Sequence, residues 1–208
     1  MSSHATPLHL FSIDSAKAAK AAKASPDTPA PLIERITTRY SPTQDRMAMA
    51  GDLPGSLPVV LWLSQRLLLR LLPRLFQWLQ LQSAADVKLA HGAAEQSALA
   101  VHAVQRFAQE AAAQQLTAQP PVHTPAHTPQ ALVEAVSIGQ SALWIHLEFQ
   151  GVGDALPVAM GLNAPALRQW LVIVQRQWRE AQWPVDVWPG WLVEAADGPP
   201  SEMPASVH

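Results

Sequence analysis

The residues in this chain best suited to chemistry are its eight histidines, and few of them stand beside a group that could help them act. His146 and Glu148 sit two apart in a stretch where Trp144, His146 and Glu148 alternate with Ile145, Leu147 and Phe149. A strand would put imidazole and carboxylate on one face, where they could act as base and carboxylate partner. The same spacing occurs on any exposed strand face, so a solvated pair is the expectation. His123 and His127 have the i, i+4 spacing of helical metal ligands, but Pro125 between them forbids the helix that would make them converge. The repeated His-Thr-Pro therefore reads as linker. Asp45-Arg46 lies near a loop tip, where an Asp most often stabilises a turn. No Gly-rich phosphate loop, Gly-x-Ser-x-Gly turn or His-Glu-x-x-His motif occurs. With no cysteine in the chain, thiolate chemistry, disulfides and cysteine-ligated metals are excluded. No catalytic residue, metal site or cofactor is assigned.

Composition narrows the class of protein further. Apolar residues make up 49% of the chain and charged ones 14%, against roughly 25% charged in an average soluble protein. A surface so poor in charge must be covered by Gln, Ser, Thr and Ala, or in part by another chain or by lipid. The net charge of −2 and the lack of a dense basic run argue against nucleic acid as a partner. Residues 1–30 lack the apolar core of a secretory signal. The most apolar long run, 57–81, is interrupted by Arg66, Arg70 and Arg74, which argues against a membrane span. A cytoplasmic protein is the expectation.

The elements that must position these residues come from two segments that can be laid over one another. Leu32-Ile33-Glu34-Arg35-Ile36 parallels Leu132-Val133-Glu134-Ala135-Val136, and Gly51 parallels Gly151, at an offset of 100; Leu57-Pro58-Val59 then equals Leu156-Pro157-Val158 at 99. Each half reads as three strands and a helix, with third strands at Val59–Leu63 and Val158–Leu162. Ser64 and Asn163 follow as helix N-caps, and Pro165 suits a first turn. The second helix, 164–182, turns Leu167, Trp170, Leu171, Val174, Trp178 and Ala181 to one face, with Arg168, Gln175, Arg179 and Gln182 elsewhere. Between the halves, Asp86 to Leu116 is Ala- and Gln-rich and predicts a helix docking through Ala100, Val104, Phe107 and Ala111. Four prolines in 119–130 then favour an extended connector.

Two segments stand out as surfaces. In the first helix, 65–81, Arg66, Arg70, Arg74 and Gln77 lie near one line, while Leu67, Leu68, Leu71, Leu72, Leu75, Phe76, Trp78 and Leu79 cover well over half the circumference. Covering one sheet needs an arc of about 100° or somewhat more, so the excess must be buried as well. Three occupants suit it: the Ala-rich helix, another protein chain, or a membrane interface. Pro73 is expected to kink or divide this helix. The second segment holds Trp183, Trp188 and Trp191 among prolines, which predicts an extended strap. Its rings either plug the core or form a partner's binding surface.

These readings combine into an α+β fold: an antiparallel sheet of about six strands built from two pseudo-symmetric βββα repeats, with both repeat helices on one face. A single domain spans 31–193, made of repeat 1 (32–82), a connecting helix (84–116), a Pro-rich connector (117–130), repeat 2 (132–183) and the Trp/Pro strap (183–193). Disordered segments at 1–30 and 194–208 flank it. The function expected is a non-catalytic interaction or assembly protein whose partner is another chain or a second copy in a homodimer. Its binding residues would be Trp183, Trp188, Trp191, Arg66, Arg70, Arg74 and Trp78. The alternatives are an enzyme or small-molecule binder with Arg66, Arg70, His146 and Glu148 in a pocket between the halves, and a peripheral membrane protein attached through 65–81.

Overall fold

The computed structural model describes residues 11–12, 30–91, 98–115, 119–153 and 157–197, and shows a mixed α+β fold. The strands are β1 (Phe11–Ser12), β2 (Arg35–Ser41), β3 (Arg46–Asp52), β4 (Val59–Leu63), β5 (Gln130–Gln140), β6 (Ile145–Gly153) and β7 (Val158–Leu162), in sheet order β1 to β7. Six of them carry the sheet, and the two-residue β1 only extends it alongside Arg35 and Ile36. The helices are α1 (Gln65–His91), α2 (Ala98–Gln114), α3 (Ala164–Glu180) and α4 (Gly190–Asp197). The segments 1–30 and 194–208, expected to be disordered, lie almost wholly outside the described residues.

The sheet is not antiparallel throughout. β2-β3-β4 and β5-β6-β7 are antiparallel meanders, but β4 and β5 run parallel, with Val60 to Trp62 beside Gln130 to Leu132. The reason is the connection: parallel neighbours need a long crossover, and residues 64–129, with α1, α2 and the Pro-rich connector, provide one. A second parallel contact lies at the other end of the order. Leu32 bridges Ala159; the Ile33 N–H donates to the Ala159 carbonyl (2.8 Å) and the Ala159 N–H to the Pro31 carbonyl (2.9 Å). The sheet thus curls until the residues leading into β2 meet β7.

Alternation sorts the strands into two faces. Ile36, Met47, Met49, Leu61, Leu63, Ile145, Leu147, Phe149, Val158, Met160 and Leu162 are buried on the inner face, where the helices pack. On the outer face the connector lies against the first half. The Val122 N–H donates to Thr37 Oγ1 (2.8 Å), and Val122, Ala48 and Val60 are buried.

Both third strands and both caps fall where the sequence puts them. The Leu67 N–H donates to Ser64 Oγ (3.2 Å) and the Ala166 N–H to Asn163 Oδ1 (2.9 Å). Other boundaries move. α1 runs unbroken past Pro73 and residue 81 to His91, because nothing from Gln82 to Lys88 stops it. The C-terminal strap is not extended throughout: it turns between Val185 and Trp188, where the Trp188 N–H donates to the Val185 carbonyl (3.0 Å), and the Pro189 carbonyl then accepts from the Leu192 N–H (3.0 Å) and opens α4. The two glycines matched by sequence also occupy different registers, since Gly51 pairs with Ile36 whereas Gly151 pairs with Val133 beside a β-bulge. A Cβ on Gly51 would lie 2.9 Å from the end of the Ile33 side chain, but one on Gly151 would lie 2.1 Å from the Leu132 carbonyl oxygen. A side-chain tip can yield where backbone cannot. Gly151→Ala is therefore expected to lower stability in urea unfolding by about 2–3 kcal/mol, and Gly51→Ala by about 1 kcal/mol or less.

Candidate interaction surface

The tryptophans named as surface candidates are inside the protein. Trp78, Trp183, Trp188 and Trp191 are all buried. The rings of Trp183, Trp188 and Trp191 join Tyr40, Phe76 and Trp178 in a continuous chain of edge and tilted contacts: Tyr40 with Trp183 (5.7 Å), Trp183 with Trp178 (4.8 Å), Trp178 with Trp188 (5.6 Å), and Phe76 with Trp188 (5.8 Å) and Trp191 (6.3 Å). The chain is tied to the β2–β3 turn by Asp45, which adopts a left-handed conformation (φ 47°) and accepts from Tyr40 Oη (2.8 Å) and Trp183 Nε1 (3.1 Å). The turn role read for Asp45 holds, and the carboxylate acceptor raises the Tyr40 pKa. The wide apolar arc of α1 is buried against this aromatic chain and the sheet. An interfacial membrane helix would need that arc outside. Among the described residues no helix is long and apolar enough to cross a membrane.

What α1 leaves outside is the row Arg66, Arg70, Arg74 and Gln77, together with Leu69 and Leu81, all exposed. The other polar candidates lie elsewhere. His146 and Glu148 project from β6 on the sheet face turned away from the inner core, so they do not converge with Arg66 and Arg70. Glu148 instead accepts from Gln150 Nε2 (3.1 Å). Burial lowers the His146 pKa, and its Nε2 has no hydrogen-bond partner among the described residues. His123 and His127 are exposed on the non-helical connector, and no group of metal-binding side chains occurs among the described residues.

The centre that sequence reasoning missed lies between the helices. Arg168 is read from sequence as pointing away from the core, yet it is 3% exposed. Its Nη2 donates to Gln105 Oε1 and to Ser83 Oγ (3.2 Å), its Nη1 approaches the Gln105 carbonyl (3.4 Å), and its guanidinium stands 5.2 Å from the Trp191 ring centroid. Burial lowers its pKa to about 10, which leaves it charged at neutral pH. Gln109 Nε2 reaches the Arg168 carbonyl (3.4 Å), Gln169 Nε2 donates to the Ala112 carbonyl (2.8 Å), and Gln105 Nε2 reaches the Leu79 carbonyl (3.4 Å). Gln175 is buried too, so α3 is enclosed by the sheet on one side and by α2 and α4 on the other.

This network inverts α2. The stripe that docks is Gln105, Gln109 and Ala112, whereas Ala100, Phe107 and Ala111 are exposed and Val104 is half-buried, the reverse of what the apolar pattern predicts. Phe107 keeps 61% of its surface in solvent, with Arg106 5.7 Å from its ring centroid and 3.6 Å from Glu110. Helix amphipathicity cannot anticipate this, because a buried charge needs acceptors and the acceptors lie on the polar stripe. Arg168 itself falls outside the apolar periodicity of α3, so no sequence pattern marks it.

Comparison with protein-family models, with curated proteins and with solved structures finds no match. The surfaces above must therefore be read from their own chemistry.

Two measurements check this description. Arg168→Ala leaves Gln105 and Ser83 without their donor and opens space above Trp191, so urea unfolding should show a loss of about 2–4 kcal/mol. His146 has a folded-state pKa below its unfolded one, so its contribution is present above the unfolded value and lost as pH falls through the folded value. The urea midpoint should drop as pH falls below about 6.5, and His146→Gln should reduce that drop.

Proposed function

We propose that this chain is a non-catalytic interaction protein that joins other chains through its helical layer. The observation that carries the reading is the orientation of α2, which buries glutamines and turns Phe107 and its apolar neighbours outward. Large exposed side chains on one regular element commonly mark an interface, and aromatic residues anchor such contacts. The row Arg66, Arg70 and Arg74 on α1 offers a second face, suited to a partner with carboxylates at helical spacing. Trp188 and Trp191, packed on Phe76 of α1 and Trp178 of α3, support these faces from beneath by holding α1, α3 and α4 against one another.

The reading includes a duplicated origin for the two halves. Its support is that both run β-β-β-α, both helices start from a side-chain cap one residue after the third strand, and Leu63 pairs with Met47 as Leu162 pairs with Ile145. Two copies of one unit, joined by α2 and the connector, suit a protein that holds two surfaces in fixed relation.

The test is affinity purification of the tagged full chain from its native cells at modest salt, beside a Phe107→Glu variant and an Arg66→Glu/Arg70→Glu/Arg74→Glu variant. Both alter exposed positions, so folding is expected to survive, as checked by circular dichroism. A chain recovered in fixed stoichiometry with the parent and lost with either variant is the expected result. Recovery of the tagged chain with neither another protein nor an untagged copy of itself from all three would contradict the reading.

A further inference from the structure

We infer that the outward face of α2 is a twofold contact, occupied by α2 of a second copy of this chain running antiparallel. The inference rests on the interaction reading above and names the occupant of one of its surfaces. Its basis is the pattern of the seam itself. Ala100, Val104, Phe107 and Ala111 are spaced four, three and four residues apart, the spacing of a coiled-coil seam. Read backwards, the spacing is unchanged and the order of sizes is still small, large, large, small. A twofold axis requires a patch to be complementary to itself, and an isologous contact sets residue i on j and j on i. In the antiparallel arrangement Ala100 meets Ala111 of the second copy and Val104 meets its Phe107. The contact then has two small-on-small layers outside and two large-on-large layers at its centre, with one residue from each copy in every layer.

The rim agrees with this occupant. Val101, 36% exposed, and the half-buried Ala108 flank the seam on one side, where a second apolar helix can widen the contact. Arg106 and Glu110 pair with each other at 3.6 Å, so these two charges on α2 are satisfied within one chain and need no foreign charge. The remaining large apolar side chains exposed among the described residues are dispersed: Leu57, Leu143, Val152 and Val185 lie on loops and the sheet, and Leu69 and Leu81 stand far apart along α1, so none forms a comparable stripe. A contact of two helices over eleven or so residues lies at the small end of specific interfaces, so the dimer is expected to be weak and concentration-dependent.

Sedimentation of the full chain between about 5 and 500 μM should show the mass rising towards twice the monomer, and Phe107→Glu should remain monomeric across the range. Orientation can be read because the chain has no cysteine of its own. Ala100→Cys and Ala111→Cys proteins, mixed at high concentration and treated with a short bis-maleimide, should cross-link to one another in preference to themselves. Preferential self-linking of each variant would mean a parallel contact and would overturn the inference. So would a dimer indifferent to Phe107→Glu, or a monomer throughout. A chain that stays monomeric while another protein is captured in a Phe107-dependent way would remove the second copy and leave the interaction reading standing.

Discussion

A charged guanidinium enclosed by four helices constrains the upper layer of this protein. Arg168 is charged at neutral pH and nearly sealed from water. Its partners among the described residues are neutral: the side chain and carbonyl of Gln105, Ser83 Oγ and the Trp191 ring. A charge moved out of water is tolerated only where its donors are matched by acceptors. The acceptors here come from α1 and α2, and the ring from α4. Satisfying one side chain of α3 thereby fixes where the other three helices sit. It also fixes how α2 is rolled, because residues two apart on a helix point about 200° away from each other. With Gln105 and Gln109 turned in, Phe107 must face out.

Beneath that layer, a second constraint holds the helices to the sheet. The ring contacts from Tyr40 to Trp191 cross from the β2–β3 turn, through the segment after α3, to α1 and α4. Trp178 Nε1 donates to the Pro184 carbonyl (2.8 Å) and Trp170 Nε1 to Thr38 Oγ1 (3.1 Å), so these two rings bury large apolar area with their polar handles satisfied, whereas the buried Nε1 of Trp188 has no hydrogen-bond partner among the described residues. The sheet contributes closure. Its two parallel contacts, Val60 to Trp62 with Gln130 to Leu132 and Leu32 with Ala159, pair edges that two separate meanders would leave open. The polar groups best suited to chemistry are dispersed, with Arg66 and Arg70 exposed on α1 and His146 and Glu148 on the outer face of the sheet.

Much of the framework is legible in the sequence because it depends on local rules. Val59–Leu63 and Val158–Leu162 alternate or run apolar between turn signals, and Ser64 and Asn163 sit where a helix needs an acceptor. The parallel join of β4 to β5 is less legible, since strand direction is set by the long crossover and not by either strand's own pattern. The segment from Trp183 shows a limit of composition: its prolines exclude helix as far as Pro189 but then supply the turn that starts one. The surface candidates fail at Trp78, Trp183, Trp188 and Trp191 for a related reason. Aromatic density marks large area to be buried, and only the fold decides whether the partner is another chain or the same one. α2 inverts its own apolar pattern because Arg168, more than fifty residues away in sequence, competes for its polar face.

The account stands on the roll of α2, which thiol labelling in this cysteine-free chain can read directly. Phe107→Cys and Gln109→Cys proteins, each kept dilute so that any self-association is absent, would be reacted with a maleimide under native conditions and compared with the unfolded chain. The account predicts that position 107 labels nearly as fast as when unfolded, and that position 109 is protected by roughly tenfold or more. Fast labelling at 109 with protection at 107 would mean that the helix buries its apolar stripe after all. In that case neither the Arg168 network nor the outward seam would describe the protein.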